Sequence, residues 1–462
     1  MEYRYEGNEG EMVPLSAQQL TFSTGVQELP DNLCNGRGLL DKVTLPEGLI
    51  KIGIAVFAYC TRLSEIKICY TVESLGKAAF ICCNQLTKVD LECSSSSPHH
   101  GLKTIGAFVF SSCRSLERIK IPSSVNALGK SVFDGCNILL EAILSTTSIT
   151  KIPISGFADC PFLQTVSLPN SMESVGCKAF YQCFSLITVI VPLDSKPIEI
   201  GPESFYRCVF LANLVLPEGS NADEASFVQC TLLEDRFGEK ADDIVHGLVH
   251  RFDNFPVQKI AYYNSCTTAE ELRQCVEKLD KKESPLVDDF GMTPFHILFS
   301  SPEPSQDLFE ILLDKFPHYV LGWKDANDNT AMEYLLNNWT RENKALLEDA
   351  LQSWMYNRLD CWRSDDWRIR FLPTMNALLA QEDRVIRMSW FGIAWSALKH
   401  FENVESLSIL EMALWKWQNK GERNNDGTKR RALDRDQCRS ICGADVVIPN
   451  VEAFLGIIPS RA

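Results

Sequence analysis

Apolar residues recur along residues 39–236 with a spacing too short for helices. Phe is followed three residues later by Cys at Phe57/Cys60, Phe80/Cys83, Phe110/Cys113, Phe133/Cys136, Phe157/Cys160, Phe180/Cys183, Phe205/Cys208 and Phe227/Cys230. The steps between these cysteines are 23, 30, 23, 24, 23, 25 and 22 residues. Between them runs Leu-x-x-Ile/Val-x-Leu/Ile, usually followed by Pro and later by Ile/Leu/Val-Gly. The alternating apolar positions predict one short strand per unit. Pro, which cannot donate to a ladder, predicts its end. The Gly predicts a tight turn. A unit of this length cannot bury its own apolar face and must stack on its neighbours. The eight Phe side chains then form an interior column, and the cysteines pack as small buried thiols whose S–H can meet a loop carbonyl.

The repeat frame also disposes of one tempting motif. Gly129-Lys130-Ser131 reads as the end of a phosphate-binding loop, but such a loop needs Gly five residues before Gly129, where Ser124 stands. Gly129 and Lys130 align instead with Gly76 and Lys77 of the second repeat. With these residues in view, the pattern Leu-x-x-Ile-x-Leu-Pro-x-Ser-Val-x-x-Ile-Gly-x-x-Ala-Phe-x-x-Cys resembles the leucine-rich repeats of the BspA type. The resemblance covers about Leu39 to Leu233 and implies a β-solenoid of about eight repeats. Local departures are Cys69-Tyr70 in place of Pro-x, an eighth repeat without its Gly, and an insertion, "ECSSSSPHHG", before Leu102.

Past Cys230 the periodicity becomes helical. "TAEELRQCVEKL" (268–279) places Leu272, Val276 and Leu279 on one face. The stretch "DDFGMTPFHILFSSPEPSQDLFEILLDKFP" resembles an ankyrin repeat, which implies that Thr293 and His296 hold the turn and helix start by hydrogen bonds. A weaker copy begins at "KDANDNTAMEYLLNNW", with Thr330 lying 37 residues after Thr293. Helices at 268–279 and about 343–358 are expected to supply the layers such a short stack lacks. All nine tryptophans fall between Trp323 and Trp417, and Leu407, Leu410, Leu414 and Trp417 follow helical spacing. They read as large packing units of a helical core. The fold class is therefore α+β and multi-domain. It comprises an N-terminal cap (1–38), the leucine-rich-repeat solenoid (39–236), all-α ankyrin-like repeats (240–340), a Trp-rich helical domain (341–420), and a polar linker with a C-terminal docking segment (421–462).

Charge and cysteine chemistry narrow the function. A net charge of -15 argues against nucleic acid, which calls for a basic footprint. No apolar run reaches the roughly 18–20 residues of a membrane span, and the acidic N-terminus lacks the order of a signal peptide. The chain is thus expected to be soluble and intracellular, most of its 18 cysteines being reduced thiols. No metal site and no cofactor is expected. His246 and His250 sit one helical turn apart without the Glu of a zinc-protease helix, and Cys438 and Cys442 share a face without identifiable partners. No nucleophile elbow or dinucleotide glycine cluster is present. The expected function is a non-catalytic protein–protein interaction scaffold with an unidentified protein partner. The alternatives are a cell-surface adhesin-like role, since BspA-type proteins include such roles, or an enzyme with its site in the helical third.

The strand pattern also locates a face. Positions between the inward residues form two outward columns. One reads Lys42, Glu65, Lys88, Arg118, Glu141, Thr165, Thr188, Asn213; the other reads Thr44, Lys67, Asp90, Lys120, Ile143, Ser167, Ile190, Val215. In the early repeats, opposite charges are expected to pair across strands. After Glu141 the columns hold no charge, and charge depletion with exposed apolar groups is how an interface core is composed. Ile143, Thr165, Ser167, Thr188, Ile190, Asn213 and Val215 are therefore the candidate interaction surface, bound by a partner or by the chain's own helical end.

Overall fold

The computed structural model describes residues 1–91, 101–264, 270–271, 273–274, 287–301, 304–316 and 323–337. The insertion at 92–100, most of the 268–279 helix, and everything from 338 on lie outside them. That excludes Cys438, Cys442 and every Trp but Trp323. The chain divides into two compact units, Met1–Ser305 and Gln306–Ala462.

In the first unit each turn of the chain lays one strand on a front sheet and one on a rear sheet. The front strands are β1 (Glu2–Tyr5), β2 (Gln19–Phe22), β4 (Lys42–Thr44), β6 (Glu65–Lys67) and β8 (Lys88–Asp90). They continue as β10 (Arg118–Lys120), β12 (Glu141–Ile143), β14 (Thr165–Ser167), β16 (Thr188–Ile190) and β18 (Asn213–Leu214). The rear strands are β3 (Glu28–Leu29), β5 (Lys51–Ile52), β7 (Ser74–Leu75), β9 (Thr104–Ile105) and β11 (Ala127–Leu128), then β13 (Lys151–Ile152), β15 (Ser174–Val175), β17 (Glu199–Ile200) and β19 (Asn221–Ala222). Paired strands run parallel, as a coil of chain stacked on itself requires, for example Thr165↔Thr188 and Val166↔Val189. The front row falls into three ladders, β1-β2-β4, β6-β8 and β10-β12-β14-β16-β18. The N-terminal segment is more than a separate cap. Leu20 pairs in register with Val43, and Leu29 with Ile52, so residues 19–38 add a further turn.

The Phe column is present and continuous. From Phe57 to Phe227 successive rings stack at 5.0–5.6 Å, within 16° of parallel. All eight are fully buried. Each repeat thiol finds a carbonyl one turn back: Cys83 Sγ donates to Phe57 O (3.2 Å), Cys160 to Phe133 O (3.1 Å) and Cys230 to Phe205 O (2.9 Å). A small donor in that place satisfies a main-chain acceptor the column would otherwise seal from water.

The repeat glycines act differently from the sequence-based expectation. Gly53, Gly76, Gly106, Gly129, Gly176 and Gly201 have no left-handed φ. They are needed because the backbones of successive turns nearly touch. A Cβ on Gly76 would stand 2.5 Å from Gly53 C, and one on Gly129 2.2 Å from Ala107 N. The left-handed positions fall two residues later and again just before the Cys, at Ala55 and Tyr59, Ala78 and Cys82, Ser155 and Asp159, or Lys178 and Gln182. Non-glycine residues are disfavoured there. A stack of turn-to-turn hydrogen bonds compensates, such as Ala55 N→Lys77 O, Phe57 N→Ala79 O and Tyr59 N→Ile81 O at 2.8–2.9 Å.

Pro153 stands where the fifth repeat needs Gly. The glycines of neighbouring turns donate to the strand behind them (Gly129 N→Ile105 O, Gly176 N→Ile152 O). Proline has no N–H to give. The rear sheet is interrupted at that point, between β11 and β13.

The solenoid ends in helices α1 (Thr231–Phe237), α2 (Ala241–Val249), α3 (Pro256–Tyr262) and α4 (Pro294–Phe299), all within the first unit. The structural division thus falls at Ser305, well beyond the 236–240 boundary expected from sequence; Tyr262 of α3 and the turn after α4 are hydrogen-bonded to the front strands. Thr293 and His296 form a reciprocal cap on α4: His296 N donates to Thr293 Oγ1 and Thr293 N to His296 Nδ1. Before them, Asp288 Oδ1 accepts from the amides of Phe290 and Met292, and Gly291 takes a left-handed φ of 71°.

In the second unit the described helices are α5 (Gln306–Lys315) and α6 (Ala331–Asn337). The loop before α6 repeats the earlier geometry 37 residues on. Asp325 Oδ1 accepts from Asn327 N and Asn329 N, Asp328 has φ 64°, and Thr330 and Glu333 cap one another. Glu333 replaces His296 without loss of the reciprocal bond, since either side chain accepts from the cap amide.

Candidate interaction face

The two outward columns differ in what lies on them. In β4, β6 and β8 the outward residues Lys42, Thr44, Glu65, Lys67 and Lys88 are exposed, with Asp90 half-buried. From β14 onward the pattern reverses, although the residue order along each strand is unchanged. Thr165, Ser167, Thr188, Ile190, Asn213 and Val215 are all exposed by 8% or less, and Ile143 is half-buried. The candidate surface named from sequence is therefore closed to a separate partner. Its occupant is the chain's own helical segment.

Three anchors hold that segment down. Tyr262, on α3, buries its hydroxyl over the ends of β16 and β18. It donates to Val189 O (2.6 Å) and accepts from Val191 N (3.0 Å) and Val215 N (3.3 Å). Burial, with Tyr263 alongside, pushes its pKa well up despite the Val191 and Val215 amides and nearby Arg251, so it remains a neutral phenol. The turn after α4 supplies the second anchor: Thr165 Oγ1 donates to Ser300 O (3.0 Å), and Asn213 Nδ2 reaches Ser300 Oγ (3.3 Å) and Thr188 Oγ1 (3.2 Å). The third is Arg251, between α2 and α3. Its Nε donates to Ala212 O (3.2 Å), and its NH2 pairs with Asp288 Oδ2 at 2.7 Å with both side chains fully buried. The guanidinium lies over the Phe252 and Phe290 rings, 4.6 and 4.4 Å from their centroids. Sequence reading missed Tyr262, Arg251 and Ser300. Arg251 carries no sequence signal of burial, because a lone Arg at a helix end is ordinarily solvated.

Cross-strand charge pairing is also less complete than the columns imply. Arg118 and Glu141 do form an ion pair, at the boundary between the open and covered halves. Among the described residues, however, neither Glu65–Lys88 nor Lys67–Asp90 comes within ion-pair distance, although each pair is in register. Long lysine side chains on an open sheet gain little by closing such contacts in water.

Other candidates are quickly placed. Lys130 lies over the Phe108 ring (5.5 Å), and Ser131 N donates to Ile154 O, so Gly129-Lys130-Ser131 is a repeat turn. His246 and His250 are in edge-to-face contact, with His250 Nδ1 2.7 Å from Asp253. No cluster of three or more metal-ligating side chains occurs among the described residues, and no helix there is long and apolar enough to cross a membrane.

The family comparison agrees with a repeat solenoid. The BspA-type leucine-rich repeat region matches in six copies, over residues 15–97, 92–211 and 139–254. The match spans residues 15–254, more than half of the chain, and the protein belongs to this family. A search of curated proteins finds no match. Among solved structures, the pneumococcal vaccine antigen PcpA is 21% identical over 48% of this chain and 61% of its own, with a TM-score of 0.33. A T. pallidum leucine-rich repeat protein is 22% identical over 45% of this chain and 85% of its own, at 0.32. A leucine-rich cell surface protein of Faecalibacterium prausnitzii is 25% identical over 43% and 59%, at 0.29. The chain thus spans about three-fifths of the first and third of these proteins. No catalytic family is indicated, and leucine-rich repeat proteins are generally non-enzymatic.

Proposed function

We propose that this protein is a non-catalytic protein–protein interaction scaffold whose front sheet is divided between an internal and an external occupant. The observation that carries this reading is the contrast just described. The same strand geometry is sealed by hydrogen-bonded helices over β14–β18 and left open over β4–β8. In this reading the segment from residue 287 on is a pair of divergent ankyrin-like repeats, supported by the recurrence of the Asp loop and Thr cap. The protein works in a reducing, intracellular setting. Support comes from the thiols: no disulfide joins any two of the twelve described cysteines, and those of the repeat are committed to carbonyls. Burial raises the Cys60 thiol to about 12 and lifts the Cys83 thiol well above its ordinary value, which makes them poor nucleophiles.

Chemical cross-linking of the tagged full chain, followed by affinity purification, tests the scaffold. A stoichiometric partner cross-linked within residues 15–254 is expected. A chain that purifies alone and turns over a substrate in activity screening would sink the reading. Alkylation of the unfolded protein and mass spectrometry should find the repeat cysteines free; bridges between successive repeats, or export of a tagged chain to the cell surface, would overturn the intracellular assignment.

A further inference from the structure

We infer that the open half of the front sheet receives an acidic polypeptide segment. This rests on the scaffold reading above and adds the partner's chemistry. The protein as a whole is strongly acidic, at -15, yet residues 41–130 carry 11 Lys and Arg against seven Asp and Glu. Residues 131–230, which build the covered half, carry four against ten. The basic excess is thus local to the turns whose sheet face is open.

It is also placed on that face. Across β4, β6, β8 and β10 the outward positions hold Lys42, Lys67, Lys88, Arg118 and Lys120 against Glu65 and Asp90. Arg118 is committed to Glu141. Lys42, Lys67 and Lys88 are exposed and make no ion pair among the described residues. They alternate between the two columns on successive strands, about 8 Å apart for strands 4.8 Å apart and side chains two residues apart. That spacing is about one Debye length at physiological salt and well inside it at low salt, so an incoming anionic chain meets their potentials together most strongly at low ionic strength. Asp41 and Glu117 lie one residue ahead of β4 and β10, at the margin of the face.

The face suits a polypeptide better than nucleic acid. It presents Glu65 and Asp90 between the lysines, which a uniformly charged phosphate backbone would have to cross. A peptide can instead alternate carboxylates with neutral side chains in step with the two columns. Such complementarity acts through encounter rate and specificity more than raw affinity.

The test uses the full chain and a fluorescein-labelled peptide of about twenty residues in which Glu and Asp alternate with Ser and Gly, read by anisotropy at low and at raised salt. A matched peptide with Gln and Asn in place of the acids, and a single-stranded RNA, serve as comparators. Binding of the acidic peptide alone, weakening with salt, is expected. The triple variant Lys42→Glu, Lys67→Glu, Lys88→Glu should weaken it about ten-fold or more. A control with the same net change, Lys130→Glu, Lys151→Glu, Lys196→Glu, should weaken it much less. Both triples are compared for melting temperature, since all six positions lie outside the core. Equal weakening by the two triples, absence of binding at low salt, or tighter binding of RNA overturns the inference. If the acidic peptide fails while a purified partner still cross-links to β4–β8, the acidic chemistry falls and the scaffold stands. If no partner cross-links within residues 15–254, both fall.

Discussion

Two halves of one row of front strands, built from the same repeat, present opposite surfaces. On β4, β6 and β8 the outward positions are lysines, Glu65 and a threonine in water, with Asp90 half-buried. On β14, β16 and β18 they are threonines, a serine, an asparagine and two aliphatics beneath helices. The inward residues hardly change: Ile66 and Val166 are equally buried. A solenoid can therefore vary what it binds turn by turn without disturbing its core, because each turn's inward and outward sets are separated by the pleat. The covered half also shows that polar residues do not by themselves mark a solvent face. Thr165, Thr188 and the Asn213 amide nitrogen are buried with hydrogen-bond partners in Ser300 and one another.

The most damaging change should ignore the division altogether. Phe157→Ala empties one place in a column shared by both halves, and a loss of about 3–5 kcal/mol is expected. Denaturant unfolding should show the open and covered halves melting together; an unchanged midpoint would contradict the repeat frame. Asp288→Ala should cost a similar amount, about 3–5 kcal/mol, by leaving Arg251 buried without its partner. Here the halves should separate. Hydrogen exchange should accelerate at β14, β16 and β18 while β4 and β6 keep their protection, and uniform acceleration would mean that the cover is not an independent layer. Tyr262→Phe is milder, about 1–3 kcal/mol, since it deprives Val189 O, Val191 N and Val215 N of one shared partner. It should again loosen only the covered strands.

A fourth expectation concerns pH and falls on the turn between β10 and β12, where the halves meet. Desolvation, with Asp159 nearby, raises Asp134 to about 6. The folded protein then holds a proton that the unfolded chain releases near pH 4. Stability from this group is thus present below about pH 4 and is lost as pH rises to 6. Asp134→Asn should stabilise at pH 7.5 by about 1 kcal/mol, discounted because the group is partly solvated. The gain should vanish at pH 4 in thermal melts; a pH-independent gain would assign the effect to packing. The smallest effect is expected at Thr44→Val, within about 0.5 kcal/mol on an open strand. Thr165→Val, a threonine under the helices in the other column, forfeits a bond to Ser300 and should cost about 1 kcal/mol.

Much of this was legible in the chain. The Phe–Cys period located the stacked rings and the sheltered thiols, since a repeated apolar spacing has few ways to bury itself other than by stacking. The inward–outward alternation located both columns by number. The Thr–x–x–His cap was expected only through the ankyrin resemblance, and it forms between neighbours in sequence. The role of the glycines was not. A pattern records that Gly recurs, but only the approach of Gly76 to Gly53 shows that the missing Cβ, and not a left-handed φ, is the reason.

The sequence by itself determined the solenoid, its register and the identity of every outward residue, since these follow from periods of two and of about 23 residues. Tertiary structure alone decided which of those residues meet water. That outcome depends on contacts between residues far apart in the chain, Thr165 with Ser300, Val189 with Tyr262 and Arg251 with Asp288, where a few hydrogen bonds and one buried ion pair fix a helical segment on half of a sheet. No local period encodes such a choice, because the same alternating strand satisfies its own hydrogen bonds whether its outer face is covered or open.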